Sequence, residues 1–438
     1  MKPYLRCMPF LALFASLGAG AATLDIDAAL RTRLVNLGPG TRLVVSGFPD
    51  GADGSVAVTL RRFDVYAPDG WLVAVSESDN RPVPRSSRHH LLGASADGRV
   101  RLSLSFDPDG GRITGSGEGP AGPFVLAATP QGSIVRVAAV PPATGLPQGV
   151  VPIIDSANDS IPSPQARVQW ASAGGKVPTG GNPPLATATI AIDTDVELLS
   201  LRFGNDTTAA ADWIADLFAA MNVMYQRDLG VALVEGATVL RVGTDPYDAA
   251  DTPADQTDLD EFGSYWQAHY GAVPRVFAAL LSGKSQSPNS ASGIAWIDAY
   301  CATASQGGGY SVNQVFTNPS IPLSYSAEIV AHELGHNFGA WHTHCTNATT
   351  GFAPTSTNTI DQCYSGESSC YSGPTSCPAS GPGHPAGTVM SYCNMIGCGG
   401  GENVLSFHPA QIGPLTQLIA AATPGCIDGE EIFGNGFD

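Results

Sequence analysis

The stretch Ala331-His332-Glu333-Leu334-Gly335-His336-Asn337-Phe338-Gly339-Ala340-Trp341-His342 decides how the rest of the chain is read. Residues four apart lie on one face of a helix with Cβ atoms about 5–6 Å apart. His332 and His336 can thus present two imidazole nitrogens to one metal ion, which is zinc geometry. Glu333 sits about a quarter-turn round the same helix. There it can reach a water at the metal's open position but is poorly placed to be a ligand, so it reads as a general base. Gly339 lets the backbone take φ > 0 and stop the helix, so the chain doubles back and His342 approaches as a third ligand. Three neutral nitrogen ligands leave a fourth place for water. In a chain of this composition the two-histidine form arises by accident roughly once in two hundred sequences, and the long form roughly once in a hundred thousand. That difference sets aside a core helix with incidental surface histidines.

The same segment resembles the H-E-x-x-H-x-x-G-x-x-H signature of the metzincin zinc endopeptidases. Their second mark is a turn carrying Met beneath the zinc site, and Gly387-Thr388-Val389-Met390-Ser391-Tyr392-Cys393 is similar to it. Leu280-Leu281-Ser282-Gly283, then Gly293-Ile294-Ala295-Trp296 running to Cys301, resembles the reprolysin (adamalysin) branch. The third His is followed by Thr343, where reprolysins usually carry Asp, and Met-x-Tyr is the astacin and serralysin form of the turn. The resemblance covers roughly residues 185–426. It implies an α+β fold: a metzincin-like catalytic domain with a mixed twisted sheet and a zinc-binding active-site helix, preceded by a β-rich pro-domain. It also implies that substrate pairs with Gly293, Ile294, Ala295 and Trp296 as an edge strand, main chain to main chain. Met390 becomes a packing floor without a chemical part. Tyr392 donates a hydrogen bond to the oxyanion or occupies the fifth zinc position at rest, against the plainer reading of a wall residue. The first disulfide it implies is Cys301 to Cys426.

At 438 residues the chain has room for two or three domains, each with its own core. A net charge of -18 and a pI near 4.7 argue against a nucleic-acid partner and suit a protein released outside the cell. Residues 1–21 combine Lys2 and Arg6, an apolar run from Phe10 to Leu17 and a small-residue site at Ala19-Gly20-Ala21, which reads as a secretory signal. The run is too short to span a bilayer, so no membrane is expected in the mature form. Secretion, extracellular or periplasmic, is the expected destination. Removal of Cys7 with the signal leaves eight cysteines, all from Cys301 onward, which suit four disulfides. The spacing of Cys363, Cys370 and Cys377 is too wide for a structural zinc cluster.

Residues 22–140 show short apolar runs, among them Val56 to Leu60, Trp71 to Val75 and Val100 to Leu104, between Pro-Asp-Gly turns. This reads as antiparallel β structure and, from its place in the chain, as a pro-domain. It holds no cysteine to serve as a latency ligand. His89-His90 is a candidate there, against a solvated loop. Residues 141–185, rich in Pro, Gly, Ser and Asn, read as a linker in which Arg167 and Lys176 are candidate cleavage points.

The catalytic domain spans 186–427. Thr189 to Asp193, Thr238 to Val242, Val276 to Leu281 and Ser311 to Phe316 read as strands, and Thr208 to Asp228 as a helix with Trp213, Leu217, Met221 and Met224 on one side. Ser324 or Ser326 is expected to cap the zinc helix. Asp245, Asp248, Asp251, Asp255, Asp258 and Asp260 could hold calcium, against a solvated loop. Gly413 to Ala422 reads as a closing helix and 428–438 as an acidic tail. His344 is the rival third ligand; His269, His384 and His408 fall outside any motif. The function expected is a secreted, monomeric, zinc-dependent endopeptidase acting on proteins or peptides with one catalytic Zn2+. A serine hydrolase is excluded by the absence of Gly-x-Ser-x-Gly. The alternative is a catalytically silent binding protein with a structural zinc site, which would not need Glu333.

Overall fold

The structure is a computed structural model that describes residues 23–50, 54–109, 112–120, 122–129, 133–138, 160–162, 186–247, 253–378, 387–396, 398, 403–423 and 425–428. The signal stretch, most of the linker, Asp248, Asp251, His384 and nearly all of the acidic tail lie outside the described residues. In the N-terminal part the elements run β1 (Thr23–Leu24), α1 (Ala28–Val35), β2 (Arg42–Pro49), β3 (Ser55–Phe63), β4 (Leu72–Val75), β5 (Asn80–Val83), β6 (His89–Ser95), β7 (Arg101–Phe106), β8 (Ile113–Gly119), β9 (Gly122–Ala128) and β10 (Ile134–Ala138). The second part continues with β11 (Ser160–Pro162), β12 (Ala186–Thr194), α2 (Val196–Phe203), α3 (Thr207–Asp228), β13 (Val231–Arg241), α4 (Gln256–Tyr270), β14 (Phe277–Ser282), β15 (Ser292–Ile297), β16 (Tyr310–Gln314), α5 (Leu323–Asn337) and α6 (Pro409–Ala422).

Two sheets result. The first is antiparallel, in the order β1-β10-β9-β8-β7-β6-β3-β2. Period-two apolar residues such as Leu102 and Leu104 bury one of its faces under α1. The second is mixed, in the order β11-β15-β16-β14-β12-β13-β4-β5. Its central strands β13 and β14 are buried along their whole length and β12 at all but Thr189, as parallel strands covered on both faces require. In β14, Phe277, Ala279 and Leu281 join the core shared with α3 and α5, whereas Ala278 and Leu280 join the core of Trp266 and Phe262 on α4.

The structure departs from the sequence reading in five places. The run at Trp71 to Val75 does not stay with the antiparallel sheet: β4 pairs in parallel with β13, Thr238 facing Leu72, and so extends the second sheet. A four-residue apolar strand carries no information about which sheet it joins. Second, α3 is buried far beyond one side, because β6, β7 and β8 of the first sheet pack on it opposite β13. Third, Ser324 and Ser326 lie inside α5, which begins after Pro322 without a side-chain cap. Fourth, His89 and His90 are buried in β6, and His90 Nε2 contacts Asp216 Oδ1 of α3 at 3.2 Å, so they form part of the packing between the two units. Fifth, within the expected linker, Ser160–Pro162 pairs in parallel with Ala295, Trp296 and Ile297, so β15 is the penultimate strand rather than the edge.

Among the acidic loop residues, Asp255 and Asp258 form a capping box on α4, and Asp245 accepts from the backbone of Val196 and Tyr247. These carboxylates hold chain ends. Four disulfides join Cys301 to Cys426, Cys345 to Cys370, Cys363 to Cys393 and Cys377 to Cys398, leaving no cysteine of the 363, 370 and 377 set as a thiolate. Among the described residues no helix is long and apolar enough to cross a membrane.

Candidate active site

Helix α5 carries His332 and His336 one turn apart, and their Nε2 atoms lie 3.0 Å from each other. Gly339, at φ +99°, turns the chain directly after the helix. That turn brings the His342 ring to 4.7 Å from His336 and 5.4 Å from His332, centre to centre. One nitrogen from each ring lies within 4.8 Å of the others, and all three side chains are buried.

The far side of each ring fixes this convergence. His332 Nδ1 donates to Val389 O at 2.6 Å, His336 Nδ1 to Ala340 O at 2.8 Å, and His342 Nδ1 to Glu367 Oε2 at 2.7 Å. Carbonyl and carboxylate oxygens only accept, so each Nδ1 carries its proton and each Nε2 keeps its lone pair for the common point. Tetrahedral zinc with bonds of about 2.0–2.1 Å sets its nitrogen ligands about 3.4 Å apart, and three neutral imidazoles are a donor set it accepts. The residues present therefore fit a zinc ion.

The supports come from distant parts of the chain. The turn at Met390 supplies Val389 O, and Met390 O accepts from Thr343 N at 2.9 Å and from its hydroxyl at 3.1 Å. A Cβ at Gly335 would lie 2.6 Å from Met390 Sδ, so the helix approaches this turn as closely as only glycine allows. Asp361 accepts from the Thr343 hydroxyl and, at 2.7 Å, from Ser391 Oγ, tying the third-histidine loop to the Met turn. Tyr225 of α3 donates to Ala331 O at 2.8 Å. Asn337 donates to Trp296 O at 2.9 Å and Tyr310 O at 3.0 Å, clamping the end of α5 to β15 and β16.

Glu333 is fully buried, and β15 runs against it: a Cβ on Gly293 would collide with its carboxylate. Ile294, Ala295 and Trp296 continue along that strand, all buried. The Tyr392 ring lies 4.5 Å from His342 and 6.1 Å from His332, beside the three imidazoles. His344 does not join them. Its ring stacks on His342 at 5.0 Å, and its Nε2 donates to Glu367 Oε2 at 2.9 Å. Outside the centre, His269 stacks on Tyr265, and His408 Nδ1 accepts from Ala410 N at the start of α6. Burial opposes charge on Glu367, but the two imidazoles facing it hold its carboxyl down at about 2. A cavity of about 490 Å³ lined by Gln267 and residues 298–304 includes none of the three histidines.

The family model Reprolysin_5, of metallo-peptidase family M12, matches residues 185–404, half of the chain. The chain belongs to metallo-peptidase family M12. That family is one of metzincin-type, zinc-dependent metallopeptidases. Comparison with curated proteins finds no match. One similar solved chain, in the "Structure of a chaperone-substrate complex", is 13% identical with a TM-score of 0.27, over 58% of this chain and 33% of that one. This chain therefore spans a third of that chain's length, and the likeness carries no functional argument.

Sequence reasoning missed Glu367 and Asp361, which have no fixed distance from the motif. The one available signal was that Glu367 is the single carboxylate between Cys363 and Cys370.

Proposed function

We propose that this M12 peptidase is a secreted zinc endopeptidase in which His332, His336 and His342 hold one Zn2+ and Glu333 is the general base. The observation that carries the proposal is the convergence of three histidine nitrogens, each ring with its Nδ1 tied behind it, on the helix turn that also bears the fully buried Glu333. Held by His332, His336 and His342, a zinc ion would supply Lewis acidity, lowering the pKa of a water and polarising the scissile carbonyl. Glu333 takes a proton from the attacking water and delivers it to the leaving amide nitrogen as the C–N bond breaks. Gly293 to Trp296 align the substrate main chain, and bare Gly293 leaves the Glu333 carboxylate its place. Tyr392, whose ring lies beside His342, donates to the developing oxyanion or takes the fifth zinc position at rest. Met390 packs under Gly335 as the floor. Four disulfides suit an oxidising destination.

Latency is part of the same reading. Residues 22–140 act as a pro-domain, and Ser160–Pro162 lies along part of the strand proposed for substrate. The central test is peptide cleavage by wild type and Glu333→Ala at equal zinc content. Losing a general base lowers kcat about 10²–10⁴-fold. Equal rates would end the assignment.

A further inference from the structure

We propose that Glu367 is a positioning residue that fixes His342 as the third metal ligand, an inference that rests on the zinc-peptidase reading above. The three histidines are not equivalent. His332 and His336 are held by the backbone of α5, and the oxygens behind them are neutral carbonyls. His342 stands on the loop before a single 3-10 turn, Thr343–Cys345, so no regular element sets its ring. What sets it is a carboxylate: Glu367 Oε2 takes the Nδ1 proton at 2.7 Å, with the glutamate side chain 10% exposed. A hydrogen bond to a buried charge is stronger than one to a carbonyl, and it makes the opposite nitrogen a better electron donor. The ligand with the least support from secondary structure thus receives the strongest partner behind it.

The remaining contacts hold Glu367 in register. His344 donates its Nε2 proton to the same Oε2 at 2.9 Å, and its ring lies within 8° of parallel to His342. Its Nδ1 is buried with no hydrogen-bond partner among the described residues, so the visible polar work of His344 is to steer the carboxylate. The disulfide from Cys345 to Cys370 closes the loop that bears Glu367, and Tyr371 N donates to His344 O at 3.0 Å. One closed loop therefore carries both the third ligand's flank and the residue that orients it.

The test measures zinc dissociation constants by competition with a chromophoric chelator for wild type, Glu367→Gln, Glu367→Ala and His336→Ala, with melting of each zinc-free form. Glu367→Ala is expected to bind zinc about 10–100-fold more weakly. Glu367→Gln, whose amide oxygen still accepts from Nδ1 without charge, should fall between it and wild type while melting like wild type. That variant decides the matter if alanine collapses the loop. With zinc saturating, both variants should lose kcat at nearly constant KM. Wild-type zinc affinity in Glu367→Gln and Glu367→Ala, with His336→Ala unable to bind, would overturn the positioning role and leave the peptidase reading standing. A wild-type chain that binds no zinc, or a His336→Ala variant that still does, would overturn both.

Discussion

At the scale of single residues, the site depends on where side chains are missing as much as on where they are present. Gly293 faces the Glu333 carboxylate with no room for a methyl group, and Gly335 faces Met390 Sδ in the same way. Gly293→Ala should therefore displace Glu333 while leaving the three imidazoles in place. A shift of about 1 Å in a reacting group costs roughly 10²-fold in rate. The expected outcome is that loss in kcat with unchanged zinc stoichiometry, read by steady-state kinetics and metal analysis. Full activity in Gly293→Ala would show that the carboxylate has slack at that strand. The histidines and Glu333 were legible in the sequence because a helix converts spacing into direction. Glu367 and Asp361 were not, since a loop converts nothing of the kind.

At the scale of elements, the junction of β13 with the N-terminal unit holds a buried titratable group. Glu235 N donates to Val65 O at 2.6 Å, and Ala67 N donates to Glu235 O at 2.8 Å, so segment 65–67 covers the strand. Beneath it the Glu235 side chain is fully buried. Burial raises its carboxyl to about 8, opposed by a hydrogen bond from Thr238 and by Arg85. The folded form thus keeps a proton that the unfolded chain releases above its ordinary value of 4.5. Stability is then highest below that value, falls as pH rises toward 8, and flattens beyond, with a slope of roughly 1 kcal/mol per pH unit. Glu235→Gln should remove this slope. Urea midpoints at about pH 5.5 and about pH 7.5 would show it, and parallel pH dependence in the two proteins would contradict it. Periodicity located the strand at Thr238 to Val242, but not its extension back to Val231 or its partner β4.

At the scale of the whole molecule, the N-terminal unit is held by more than the linker. Its β4 and β5 extend the second sheet, and its Arg88 pairs with Asp107 and with buried Asp216 of α3. Arg227 of α3 reaches back to Glu118 at 2.7 Å, and Arg61 to Gln226 at 2.7 Å. Cutting the linker between 163 and 185 should therefore leave the two pieces associated. Size-exclusion chromatography of the cleaved protein should give one peak containing both fragments, and separate peaks without denaturant would refute a retained pro-domain.

The sequence by itself determined the local and periodic features: two histidines one helical turn apart, the glycine that ends the helix, the Met turn, the short β runs and the even cysteine count. Each is encoded in neighbours whose spacing fixes direction. Only the tertiary structure decided which sheet β4 joins, what lies along β15, which cysteines pair, and which carboxylate stands behind His342. Those contacts link residues tens to hundreds of positions apart. Their partners are selected by the packing of the whole chain, and no short spacing in the sequence carries that choice.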